Sequence, residues 1–145
     1  MSASMPPSMP PSLRAFGEPR LQAMVELMYL AASADGDFSK EERAHFLSSV
    51  ESLTDRQISG SSLDRLVARF EADLRKDGRD VRLASIRERL ESIALRKVGL
   101  SLVVAVIVAD GIIRTTEREA LLEMADALEI SRDEAADLVA QHAPT

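Results

Sequence analysis

Apolar residues recur three and four positions apart from Leu21 onward, the spacing that places side chains on one face of an α-helix. Turn-forming or helix-capping residues separate successive stripes. The stripes are Leu21, Met24, Val25, Met28 and Ala31; Phe46, Leu47, Val50 and Leu53; Leu63, Leu66, Val67, Phe70 and Leu74; Leu83, Ile86, Leu90 and Ile93; and Leu121, Leu122, Ala125 and Leu128. The pattern predicts an all-α fold, a compact bundle of seven or eight short helices.

Local signals mark where several of these helices begin and end. Ser39 to Glu42 and Ser131 to Glu134 have the serine-to-glutamate spacing of a capping box at a helix N-terminus. Gly78 is placed to end the third helix. The segment 54–57 predicts a short additional turn, and Gly60 is expected to break the chain.

The apolar run from Val98 to Ala109 allows two interpretations. About 12 residues are too few for a membrane span, which needs roughly 20. Its β-branched residues suit a buried strand as well as a buried helix. We predict a core helix, because the run matches the helical segment from Leu21 to Ala34.

That match is part of an internal repeat with an offset of 75 residues. Asp35-Gly36 followed by Glu42-Arg43 recurs as Asp110-Gly111 followed by Glu117-Arg118. Apolar positions on both sides keep the same offset. The sequence therefore predicts a duplicated helix–turn–helix with carboxylates at equivalent places.

The repeated carboxylates have two possible explanations. Asp-Gly can end a helix, and a glutamate near the next helix N-terminus interacts favourably with the helix dipole, so a structural role is sufficient. The spacing also reproduces part of a calcium-binding EF-hand loop. Ala31 and Val106 stand where that loop needs its first oxygen ligand, which excludes a true EF-hand.

The sequence still allows a cation site that is not an EF-hand. One acidic cluster contains Asp35, Asp37, Glu41 and Glu42, and the other contains Asp110, Glu117 and Glu119. If the halves pack with approximate twofold symmetry, the clusters can share a hard cation such as Ca²⁺, Mg²⁺ or Mn²⁺.

The segment from Ala109 to Glu134 resembles the signature of TerB-like domains, a bacterial family associated with tellurite resistance. The family includes relatives in the N-terminal domain of membrane-bound DjlA co-chaperones. Ala34 to Glu42 is similar to the family's earlier copy of the motif, and the resemblance covers roughly residues 20–142. It implies a duplicated helical fold and a metal-binding acidic surface, whose residues here are Asp35, Glu42, Asp110 and Glu117. Arg114 departs from the pattern, because it replaces the capping serine found at position 39.

Composition and charge exclude or disfavour several classes of partner and site. The net charge is −6, which disfavours nucleic acid as a partner. The one basic stretch, residues 75–97, is expected to pair with acidic neighbours inside the protein. Cysteine is absent, which excludes thiolate metal sites and cysteine nucleophiles. With no signal-peptide pattern at the N-terminus, we expect a cytoplasmic protein.

The first 19 residues form a separate region. They contain five of the six prolines and are expected to be a disordered arm, with residues 20–142 as the helical domain. A proline-motif docking role for the arm is the less favoured interpretation. No membrane span is expected, although peripheral membrane association stays open, as does the oligomeric state.

No enzyme signature is present. No serine stands out in the sequence as a nucleophile that could pair with His45 or His142. The glycines occur singly rather than in a phosphate-binding loop. We therefore expect a non-enzymatic accessory or adaptor protein of the stress response with a protein partner. A protein-binding module without metal is the first alternative. A metal-dependent hydrolase that uses the paired carboxylates is the second.

Overall fold

The computed structural model describes residues 18–34, 39–107 and 115–142, and the described part contains seven α-helices and no strand. The helices are α1 (Glu18–Ala32), α2 (Lys40–Leu53), α3 (Gly60–Asp77), α4 (Arg79–Arg89), α5 (Ile93–Ile107), α6 (Thr115–Ala127) and α7 (Arg132–His142). The all-α prediction is confirmed. The predicted N-terminal arm falls outside these residues except for Glu18 and Pro19, which belong to α1.

The repeat extends to the helix boundaries. α1 and α5 are both 15 residues long and begin 75 positions apart, and α2 and α6 also begin 75 positions apart. α1 packs against α5, and each of them also packs against both α2 and α6. This exchange of contacts is what an approximate twofold relation between the two halves requires. The Val98 run is helical, as predicted.

The core is centred on α1. Every residue from Ala23 to Ala31 is buried, so this helix is enclosed on all sides rather than along one stripe. The neighbours that enclose it are α2, α3, α4, α5 and α6. Gly99 of α5 allows a close approach, because a Cβ atom there would lie 3.4 Å from Leu27 Cδ2 and 3.3 Å from Leu90 Cδ1.

Both predicted capping boxes are present. The Ser39 hydroxyl accepts the Glu42 amide at 3.1 Å, and Glu42 Oε1 accepts the Ser39 amide at 2.9 Å. At the start of α7, the Ser131 hydroxyl accepts the Glu134 amide at 3.1 Å, and the glutamate accepts the Ser131 amide at 3.4 Å. Lys97 holds the Glu134 carboxylate and lowers its pKa, and the bonds from Ser131 act in the same direction.

Two sequence-based boundaries differ from the structure, and the turn predicted at 54–57 is present. Asp55 and Arg56 of this turn have positive φ, and α2 ends there. Gly60 begins α3 with a positive φ of 58° instead of breaking the chain. Ile93 is 44% exposed and starts α5, so it does not continue the buried stripe of α4.

The basic stretch pairs internally, as predicted. Arg82 Nε donates to Glu26 Oε2 at 2.7 Å, and Arg89 Nη2 donates to Glu26 Oε1 at 2.5 Å. The bond to Glu26 raises the pKa of Arg82. Arg96 Nε donates to the Leu90 carbonyl at 2.7 Å and so satisfies the end of α4. These contacts fasten α4 to α1 and to the start of α5.

Candidate acidic site between the two repeats

A cavity of about 250 Å³ lies where the two repeats meet. Two pairs of residues with the 75-residue offset line it, Ala32 with Ile107 and Glu42 with Glu117. Equivalent residues from both halves face the same space, so the cavity straddles the approximate twofold relation. The ends of α1 and α5 and the beginnings of α2 and α6 form its walls.

The apolar side of the cavity is firmly packed. Phe46 is 1% exposed, and Val106 and Ile107 are also buried. The Phe46 ring packs edge-on against Tyr29, with 6.1 Å between ring centroids, and Tyr29 also contacts Phe70. Burial raises the pKa of the Tyr29 phenol, and the nearby Glu71 charge acts in the same direction. Through Phe46, the aromatic cluster forms part of the apolar wall next to the acidic side chains.

The polar side of the cavity is acidic. Glu41, Glu42 and Glu117 line it together with His45, and no lysine or arginine is among the described lining residues. Glu41 and His45 are four positions apart on α2, which puts them on one helix face. Both are exposed. The cavity is therefore negatively charged and open to solvent.

Glu42 is held in place by its own capping box. The cap uses Oε1, which accepts the Ser39 amide, so Oε2 can bind a ligand without breaking the cap. Glu117 is the equivalent residue in the first turn of α6 and is half-buried. Both carboxylates are near helix N-termini, where the helix dipole stabilises negative charge.

Of the four residues predicted to bind metal, the structure brings Glu42 and Glu117 to one cavity. Asp35 and Asp110 lie outside the described residues, as does Asp37. Glu119 lines a separate cleft with Arg79 and Glu123, whereas Glu117 lines the acidic cavity. Within residues 18–34, 39–107 and 115–142, no three histidine or acidic side chains form a group that could hold a metal ion.

Two features go beyond what the sequence predicts. His45 is exposed, and it also lies at the edge of the acidic cavity. Its spacing from Glu41 carried that signal, because residues four apart share a helix face. The sequence predicts that the basic stretch pairs within the protein, but it does not identify Glu26 as the partner of Arg82 and Arg89, because partners 56 and 63 positions away leave no local pattern.

The fold and the cavity define an all-helical protein with an internal duplication and an acidic cleft between its repeats. A protein-family model described as "Tellurite resistance protein TerB" matches residues 18–140, and the chain belongs to this family. The match covers nearly the same range as the resemblance seen in the sequence, and it includes α3 and α4. Comparisons with curated proteins and with solved structures give no match.

TerB is not known as an enzyme family. No helix in the described part of the chain is long and apolar enough to cross a membrane.

Proposed function

We propose that the protein is a non-enzymatic accessory or adaptor of a cytoplasmic stress response of the tellurite-resistance type, and that its acidic cavity binds a divalent cation. The observation that carries the proposal is that Glu42 and Glu117, equivalent residues of the two repeats, line one cavity. Asp35 and Asp110 complete the proposed ligand set.

The donor set fits a hard cation. Carboxylate oxygens are the ligands that Ca²⁺, Mg²⁺ and Mn²⁺ prefer, and no lysine or arginine is among the described lining residues to compete with a cation. Glu42 offers Oε2 while its cap stays intact. Because the described residues hold no complete metal group, the site needs ligands from the two Asp-Gly turns. Asp35 and Asp110, the equivalent aspartates of the two repeats, are the additional ligands that we propose.

Such an ion would connect the two repeats. Glu42 belongs to α2 and Glu117 to α6, so a cation bound by both stabilises the contact between the halves. It also lowers the negative charge of this surface. In this way cation binding would change what a protein partner encounters at the end of the bundle, which is the adaptor role that we propose.

The alternatives have less support. A partner groove made of aliphatic side chains finds little basis, because only Val81 and Ile93 are exposed large hydrophobic residues in the described ranges. A carboxylate-based hydrolase has no support from the family, because TerB is not known as an enzyme family. A purely structural role for the acidic turns is the main competitor, and it predicts no effect of cations.

Thermal unfolding with and without millimolar Ca²⁺, Mg²⁺ or Mn²⁺ tests the proposal. A bound ion stabilises the folded state by about 2.7 kcal/mol at 100 times its Kd, so the parent should melt at a higher temperature. Asp35→Asn/Asp110→Asn should abolish this shift.

Glu42→Gln has a matched control in Glu134→Gln. Both substitutions weaken a capping box of the same type, but Glu42 alone lines the cavity. We expect Glu42→Gln to reduce the cation-dependent shift and Glu134→Gln to retain it. If none of the three cations changes the melting temperature of the parent protein, the cation site is refuted and the structural role remains.

A further inference from the structure

A second groove lies near the opposite end of α1 from the acidic cavity. Gln22 lines this groove and Ala32 lines the cavity, and ten residues of helix separate them by about 15 Å. The groove has a volume of about 320 Å³ and runs between the 54–59 turn and α3. Its character is basic, in contrast to the net charge of −6.

The basic character comes from Arg65 and Arg69, one turn apart on the exposed face of α3. Neither has a carboxylate within 4.0 Å or a hydrogen-bond partner among the described residues. Like charges four positions apart on a helix repel each other, so the pair is unfavourable without a counter-ion. No such counter-ion lies beside them among the described residues, although the chain has more acidic than basic residues.

The nearest candidate counter-ion within the helix is used elsewhere. Asp73 lies four positions after Arg69, but its carboxylate faces Arg82, with 3.7 Å between Oδ2 and Nη2. By contrast, the arginines of α4 and the start of α5 contact carboxylates of their own chain, including Arg82, Arg89 and Arg96. Arg82, Arg89 and Arg96 are therefore paired within the folded chain. Arg65 and Arg69 lie side by side in the groove without a paired carboxylate among the described residues.

The remaining lining suits a peptide better than a small ion. Ile58 and Leu66 give the groove an apolar component, and both are nearly buried. Gln57 adds an amide that can hydrogen-bond to a peptide backbone. The Ser62 hydroxyl donates to the Ser59 carbonyl at 3.1 Å and can still accept from a peptide N–H. From Ser62 to Arg69 the α3 face extends about 10 Å, the length of roughly three residues of extended chain.

We infer that this groove binds an extended acidic peptide segment of a partner protein, with Arg65 and Arg69 each holding a carboxylate. Guanidinium groups bind carboxylates through two parallel hydrogen bonds, which fits a partner side chain at each arginine. The groove is separate from the proposed cation site, so either proposal can fail without the other.

The experiment uses a fluorescein-labelled, N-acetylated hexapeptide of alternating glutamate and leucine, titrated with the full chain and followed by fluorescence anisotropy. Arg65→Gln/Arg69→Gln should weaken binding by about tenfold or more, because two charge-assisted contacts are lost. Lys76→Gln/Arg118→Gln is the matched control, since both residues are exposed and the net charge changes equally. The control should bind the peptide within about twofold of the parent, since charge outside the groove acts only at long range.

Amide chemical shifts of the parent give a second measurement that does not depend on any variant. The peptide should shift the resonances of Gln57, Ser62 and Arg69 and leave those of Glu42 and Glu117 in place. Equal weakening by the control pair would overturn the proposal, as would shifts located away from the groove. Inorganic phosphate that binds as tightly as the peptide would also overturn it, because the site would then select a small oxyanion.

Discussion

Among single residues, Glu26 has the most demanding environment. It is 1% exposed inside α1 and accepts hydrogen bonds from Arg82 and Arg89. Glu26→Gln removes the carboxylate that Arg89 contacts, whereas Arg82 keeps Asp77 at 3.0 Å and Asp73 at 3.7 Å. Breaking a buried pair costs about 3–5 kcal/mol, and because Arg82 stays paired we expect the lower end of this range. Urea unfolding should show this loss. Glu91→Gln, which breaks the exposed pair with Arg20, should cost about 0–1 kcal/mol, and equal losses for the two would contradict the assignment.

Tyr29 gives the protein a built-in optical probe, because it is the only tyrosine. Burial raises its pKa above the ordinary value of 10.0, so the neutral phenol is favoured in the folded state. Its contribution to stability is complete below pH 10 and is lost as the pH rises through the higher folded-state pKa. Absorbance at 295 nm should titrate at a higher pH in the native protein than in urea. Coincident titrations would contradict the buried position.

At the level of helices, the caps differ in ways that a substitution can measure. Ser39→Ala and Ser131→Ala should each destabilise the protein by about 1 kcal/mol, because each removes a capping hydrogen bond. Ser59 precedes α3 but makes no side-chain capping bond. Ser59→Ala should therefore cost less than about 0.5 kcal/mol. Similar losses at all three serines in denaturant unfolding would show that the caps do not set these values.

Helices with a clear local signal were predicted well from the sequence. Apolar periodicity and capping boxes depend on neighbouring residues, and both survived in the structure. The turn after α2 was also predicted, but the positive φ of Asp55 and Arg56 was not, because no glycine marks those positions. Ile93 continues the spacing of α4 but begins α5, since periodicity does not reveal a change of helix direction.

The same limit applies to the candidate site. The 75-residue repeat was sufficient to connect Glu42 with Glu117, because equivalent positions in a twofold arrangement approach each other. It could not show that Glu119 lines a separate cleft with Arg79 and Glu123. Nor could it show that Asp73 faces Arg82 and leaves Arg69 beside Arg65, since those contacts depend on how α4 packs.

For the molecule as a whole, we expect cooperative unfolding despite the duplication. α1 packs against helices of both halves, so neither half can keep its core when the other unfolds. Circular dichroism at 222 nm and Tyr29 fluorescence should follow one common transition in urea. Two separated transitions would mean that the repeats are independent folding units.

The packing of α1 on α5 also has a consequence for how such a protein can arise. A chain with one copy of the helix pair would expose the apolar surface of its first helix until it met a second copy. Its folding would then depend on protein concentration. Joining two copies through α3 and α4 makes the encounter intramolecular, at an effective concentration set by the linker on the order of millimolar. The duplicated chain thus behaves as a dimer that dilution cannot separate, and each half can change its surface residues independently.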